Sequence, residues 1–101
     1  MVKLYILKDR QVVPVDSIAE WGIFFMKPDR IVAQWDFDNV RVSTVFLGIE
    51  HGWSDEGQPI VFETMVFNGP MDGHQERSAT WQEAEQIHER VCAEVRAKVL
   101  Q

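Results

Sequence analysis

The chain has a single cysteine, Cys92, among its 101 residues. No disulfide can close within it, so its stability has to come from a packed core. A lone cysteine suits a reducing compartment, and a cytoplasmic location in a host cell is the expectation. No apolar stretch approaches the roughly 20 residues that a membrane-spanning helix needs, so no membrane association is expected. The opening segment, MVKLYILKDR, has only a short apolar run that ends in charges, with no small-residue cleavage site, and reads as a strand rather than a signal peptide. Bases are also scarce. Sixteen acids against ten bases give a formal net charge of −6, which disfavours direct binding to nucleic-acid phosphates. The acids are dispersed, with no run longer than Asp55-Glu56, and read as a solubility feature. There is no nucleophile elbow, phosphate loop, paired-cysteine zinc site or HExxH helix. The chain is therefore expected to be non-enzymatic, with no cofactor and no metal. Repeats and low-complexity segments are missing too.

What is present is an ordinary globular composition, 46% hydrophobic and 26% charged. A chain of this length buries roughly 60–68% of its unfolded surface, enough for one domain over residues 1–101. The element pattern is legible. Lys3 to Lys8 reads as a strand, followed by a turn at Asp9-Arg10-Gln11 and a return strand, Val12 to Val15, that Pro14 confines to an edge. Ser17 and Glu20 form a capping box for a short helix, with Ile18, Trp21 and Phe25 on one face, that ends at Lys27-Pro28-Asp29. Ile31 to Phe37 alternates, with Ile31, Ala33, Trp35 and Phe37 on one face. Asp38-Asn39 makes a hairpin turn that sets Trp35 opposite Val42 and Asp36 opposite Arg41.

The runs Val42 to Ile49 and Ile60 to Phe67 are apolar on both faces and read as strands covered on both sides. A loop, Glu50 to Pro59, joins them. Asn68 to Ala79 is a long loop in which Glu76 to Ser78 can add a short edge strand. Thr80 and Glu83 cap a final helix whose core stripe is Trp81, Ala84, Ile87, Val91, Val95 and Val99. The expected fold is α+β, an antiparallel sheet of four to five strands in the order ββαβββα. The long C-terminal helix packs on one face of the sheet, and the short helix covers part of the other face or the sheet's end.

Four residues stand out as candidates for ligand or partner binding: His51, Trp53, Glu63 and His88. Glu63 lies inside VFETMVF with apolar neighbours in either of two hairpin registers. A carboxylate there needs a partner, for which Arg41, Arg77 or a backbone N–H is available, or its pKa rises. His51 sits at the mouth of the same hairpin, and His88 at the margin of the helix stripe. Together the three can form a pocket, or a two-histidine, one-carboxylate site, although their spacing does not require it. Trp53, in a polar loop without a periodic partner, is either a lid on the core or an exposed anchor. Asp72, His74 and Glu76 alternate in a glycine-bordered loop, where a weak metal site competes with a solvated loop. Cys92 reads as a small buried filler, with His88 one turn earlier as the one base that can activate it.

The strings VSTVFLGIEH, FETMVFNGP and TWQEAEQIHERV resemble a small family of uncharacterised proteins from bacteriophages and prophage-bearing bacteria. The resemblance extends to a proline-containing return strand like VVPVD and a helix carrying a tryptophan like Trp21. Ser78-Ala79 before the T-W element and Ile87 before His88 depart from the family pattern. The resemblance implies a phage context and a cytoplasmic site of action, without an activity. It favours a protein-binding module directed at a host or phage protein, with a homodimer as one form of it. A small-ligand-binding protein built around Glu63, His51 and His88 is the alternative.

Overall fold

The structure, a computed structural model, describes residues 3–101. The elements run β1 (Leu4–Lys8), β2 (Gln11–Val15), α1 (Ile18–Phe25), a 3-10 turn (Pro28–Arg30), β3 (Ile31–Phe37), β4 (Val40–Phe46), β5 (Phe62–Phe67), β6 (Gln75–Ser78) and α2 (Trp81–Val99). The fold is α+β. An antiparallel sheet in the order β3-β4-β5-β6 packs against α2, and β1 and β2 form a two-stranded sheet of their own. The strand count of the main sheet is within the expected four to five, but its members are β3 to β6: β6 lengthens the expected order to ββαββββα, and the first hairpin forms a separate sheet instead of joining the main one. That hairpin is stitched on by the Tyr5 N–H, which donates to the Gly48 carbonyl at 2.9 Å, and by a single bridge between Leu4 and Ile49.

The local causes are visible in the residues. Lys8 pairs with Gln11, leaving Asp9-Arg10 as a two-residue turn with φ of 51° and 66°. Positive φ at both turn residues matches the twist of the flanking strands. Both helices start on the caps foreseen: Ser17 Oγ accepts from the Glu20 N–H, and Thr80 Oγ1 from the Glu83 N–H, each at 3.1 Å. The hairpin at Asp38-Asn39 has the expected register, Trp35 opposite Val42 and Asp36 opposite Arg41. At the far end of β3 the alternation breaks. A bulge between Ile31 and Ala33 pairs Ile31 with Val45, and Val32 joins the packed core. One extra residue on a strand flips the faces of everything beyond it.

Pairing of β4 with β5 sets Phe46 opposite Phe62, Thr44 opposite Thr64 and Val45 opposite Glu63. This is the register that turns Glu63 away from the buried face. Val40, Val42, Thr44 and Phe46 of β4 and Phe62, Thr64 and Val66 of β5 are all buried. Above them α2 contributes Ala84, His88, Val91 and Val95. The opposite face, with Ser43, Val45, Glu63, Met65 and Phe67, stays partly open, and Phe67 is 44% exposed. The expectation that both faces are covered is therefore corrected. The reason lies in α1: its Phe24 and Phe25 rings pack on Phe46, with centroids 5.8 and 6.0 Å away. The short helix thus caps the sheet's end, on the side that α2 already covers. Gly48 makes this close fit feasible. It takes φ of +75°, and a Cβ there would lie 2.4 Å from the Phe25 ring. The same turn ends the strand at Phe46, earlier than its apolar run suggests.

Candidate functional site

The residues singled out from the sequence do not converge. Glu63 sits on the open face of the sheet. Its Oε2 accepts from Gln75 Nε2 at 2.7 Å and from Arg77 Nε at 3.1 Å. Its side chain is 18% exposed, so this is a half-solvated ion pair with one of the structural partners anticipated for it. His88 lies on the other side of the sheet, buried against β4 and β5. Its Nδ1 is 2.7 Å from Thr44 Oγ1, which is itself 2.7 Å from Thr64 Oγ1. Burial lowers the His88 pKa, with the nearby Glu89 charge acting in the opposite direction. His51 is exposed in the loop after β4, where its backbone N–H donates to the Ile60 carbonyl at 2.8 Å. A pocket around Glu63, His51 and His88 would require groups from opposite faces of one sheet to meet.

The other groups singled out in the sequence, Asp72, His74, Glu76 and Cys92, do not build a site either. Asp72 Oδ1 accepts from the Asn68 N–H at 2.6 Å, closing the turn after β5. His74 and Glu76 do meet, at 2.7 Å, but Glu76 is shared with Arg90, which also holds Glu94 at 2.7 Å. The Arg90 guanidinium holds the Glu76 carboxyl below the usual range against the effect of burial, and His74 adds to it. These ties pin the β6 edge to α2. Burial, and then Glu89, push the Cys92 thiol up to about 11. It therefore stays protonated near neutrality and is a poor nucleophile. Among the described residues, no group of three or more His, Cys, Asp or Glu side chains is placed to hold a metal ion.

Two other features have no counterpart inside the core. The first is the outer face of α1. The inner face of this helix is used up by Trp21, Phe24 and Phe25, and Trp21 Nε1 donates to the Gly48 carbonyl at 3.2 Å. On the outside Ile18, Ile23 and Met26 are 76%, 59% and 85% exposed, so Ile18, in the first turn, does not share the packed face of Trp21 and Phe25 as its spacing suggested. Glu20 is the only charged residue between Ile18 and Phe25.

The second is a groove of about 720 Å³ between the β1–β2 hairpin, the 52–59 loop and the start of α2. Its walls include Lys3, Tyr5, Arg10, Trp53, Pro59 and Trp81, and its lining holds no carboxylate. The Arg10 guanidinium lies over the Trp81 ring, 4.9 Å from its centroid. Trp53, 54% exposed, stands on a braced loop. It bridges to Pro59, the Ser54 N–H donates to the Gln58 carbonyl at 2.8 Å, and Ser54 Oγ accepts from the Gln58 N–H at 3.0 Å. Of the four sequence candidates only Trp53 belongs to this groove. Arg10 and Trp81 were legible only as a turn residue and as the first member of a core stripe. Their juxtaposition depends on how the first hairpin docks.

No family model, curated protein or solved structure matches this chain.

Proposed function

We propose that the protein is a non-enzymatic protein-binding module that docks on another protein, of host or phage origin, through the outer face of α1. The observation that carries this reading is the exposure of Ile18, Ile23 and Met26 on a helix that is apolar on both sides. A helix apolar all round belongs in an interior, and an uncovered one is a contact surface. The resemblance to small phage proteins points the same way, since chains of this size from phages commonly act by binding, and action in the host cytoplasm is part of the proposal. No helix is long and apolar enough to cross a membrane.

The test is photo-crosslinking in cells that express the protein, with a benzophenone side chain at Met26. The same label at Gln86, an exposed polar position on α2, serves as control. A discrete adduct at position 26 that is missing at 86 supports the reading, and its mass separates a second copy of the chain from a different protein. Identical labelling at both positions overturns it.

A further inference from the structure

We infer that the groove between the β1–β2 hairpin, the 52–59 loop and the start of α2 binds a small planar anion, an aromatic ring carrying a phosphate or a carboxylate. Two independent properties of the groove support this. The first is charge. In a chain with sixteen acids and ten bases, the lining holds Lys3 and Arg10 and no carboxylate. Neither cation is ion-paired among the described residues, whereas Arg41, Arg77 and Arg90 all are. A local cationic lining in a field of dispersed negative charge attracts an anion and discourages other acidic proteins. Asp9 and Asp29 lie with Arg10 along a separate pocket on the other side of Trp81 and form no ion pair with it among the described residues, and two acids close in sequence to the groove are committed elsewhere. Glu50 accepts from the Gly52 N–H at 2.9 Å, and Glu83 accepts from the Thr80 hydroxyl at 3.0 Å.

The second property is shape. Tyr5, Trp53 and Trp81 give the groove three aromatic walls. Trp53 is held out by its hydrogen-bonded loop rather than folded onto the core. Arg10, stacked on Trp81, presents a planar cation whose edge suits the fork geometry of a carboxylate or phosphate. Burial, and then Glu50, raise the Tyr5 pKa, so its phenol remains a neutral donor. Trp81 also carries the one buried side-chain polar atom among the described residues that lacks a hydrogen-bond partner, its Nε1. A volume of about 720 Å³ falls within the usual span of small-molecule sites. None of the lining residues comes from α1, so this site and the protein-binding face are separate and can fail independently.

The experiment is a titration followed through the four tryptophan indole N–H resonances of isotopically labelled protein. The probes are AMP and 2-naphthoate, with adenosine, 2-naphthol and inorganic phosphate as controls. Binding of AMP alone identifies a nucleotide-type phosphate. Binding of 2-naphthoate alone identifies an aromatic carboxylate. In either case the Trp53 and Trp81 indoles should shift at submillimolar to millimolar probe, and the neutral analogues and free phosphate should bind at least about tenfold more weakly. Arg10→Gln and Trp53→Ala, both at exposed positions, should each weaken binding about tenfold or more with an unchanged melting temperature. Arg41→Gln, on the open sheet face, should leave binding unaltered. Neutral analogues that bind as well as the anions, or indoles that do not move with either anion at millimolar concentration, overturn the inference.

Discussion

On one face of the β4–β5 pair, Thr44 and Thr64 are 0% and 2% exposed and meet each other and His88 among valines and phenylalanines. On the other face, one residue along each strand, Ser43, Val45, Glu63, Met65 and Phe67 lie against solvent in part. Hydrophobicity barely distinguishes the two sets. The buried face contains two hydroxyls and an imidazole, and the open face contains a valine, a methionine and a phenylalanine. What differs is how polar groups are satisfied. The buried ones form a closed line in which each finds a protein partner, as low dielectric demands. The charged ones form pairs that water reaches, exposed for Asp36 with Arg41 and partly so for Glu63 with Arg77.

The largest effect should come from matched phenylalanine truncations on the two faces. Phe46→Ala, at a site 1% exposed and in contact with Phe24, Phe25 and Phe62, should lose about 3–5 kcal/mol of unfolding free energy. Phe67→Ala should lose about 1 kcal/mol or less, because much of its ring is already hydrated. Urea denaturation of the pair would break the comparison if the two losses were equal. Next is the buried polar line. Thr44→Val keeps the shape but leaves His88 Nδ1 and Thr64 Oγ1 short of a partner, and should cost about 1–3 kcal/mol. Ser43→Ala, its neighbour on the open face, should be within about 0.5 kcal/mol of the parent.

The sequence made the elements legible because each carried local chemistry: two capping boxes, a proline at an edge, and a hairpin turn that fixed Asp36 opposite Arg41. It left the covering of the faces open because that depends on where a helix docks. A Val45 or Met65 reads the same whether α1 lies over it or, as here, over Phe46. The β4–β5 register was left open for a related reason, since Glu63 has apolar neighbours in both alternatives. Only the pairing of Thr44 with Thr64 shows which one leaves no charge buried. The bulge at Ile31–Ala33 had no signal at all, as no glycine marks it. Trp53 could be picked out because a tryptophan in a polar loop is unusual. Arg10 could not, because a turn arginine becomes notable only once Trp81 lies beneath it.

A smaller effect is expected from pH, and it sharpens the contrast because only the buried face should respond near neutrality. Burial depresses the His88 pKa below its ordinary 6.5. The unfolded chain therefore takes up a proton that the folded chain resists, and stability falls as the pH drops below that ordinary value. It is fully present above it, and the slope is at most that of one proton. Melting temperatures from about pH 7 to 5 should decline in the parent protein and flatten in His88→Gln. Glu76, held below its usual range by Arg90, adds a further loss only at more acidic pH. An equal decline in both proteins would mean that His88 does not carry the effect.

The smallest expected effect is Glu63→Gln. The amide keeps an acceptor for Gln75 and Arg77 and loses only the charge, in a pair whose side chains are 18% and 40% exposed. An ion pair so placed is worth about 1 kcal/mol or less, and added salt should shrink even that. A carboxylate truly enclosed by apolar groups with its cation would behave differently, since unpairing a buried charge costs about 3–5 kcal/mol. Urea denaturation of Glu63→Gln at low and at high salt therefore reports whether the open face is open in solution. A near-neutral, salt-sensitive result keeps the two faces distinct. A loss of several kcal/mol that salt does not touch would mean that something, such as a second copy of the chain, covers Glu63.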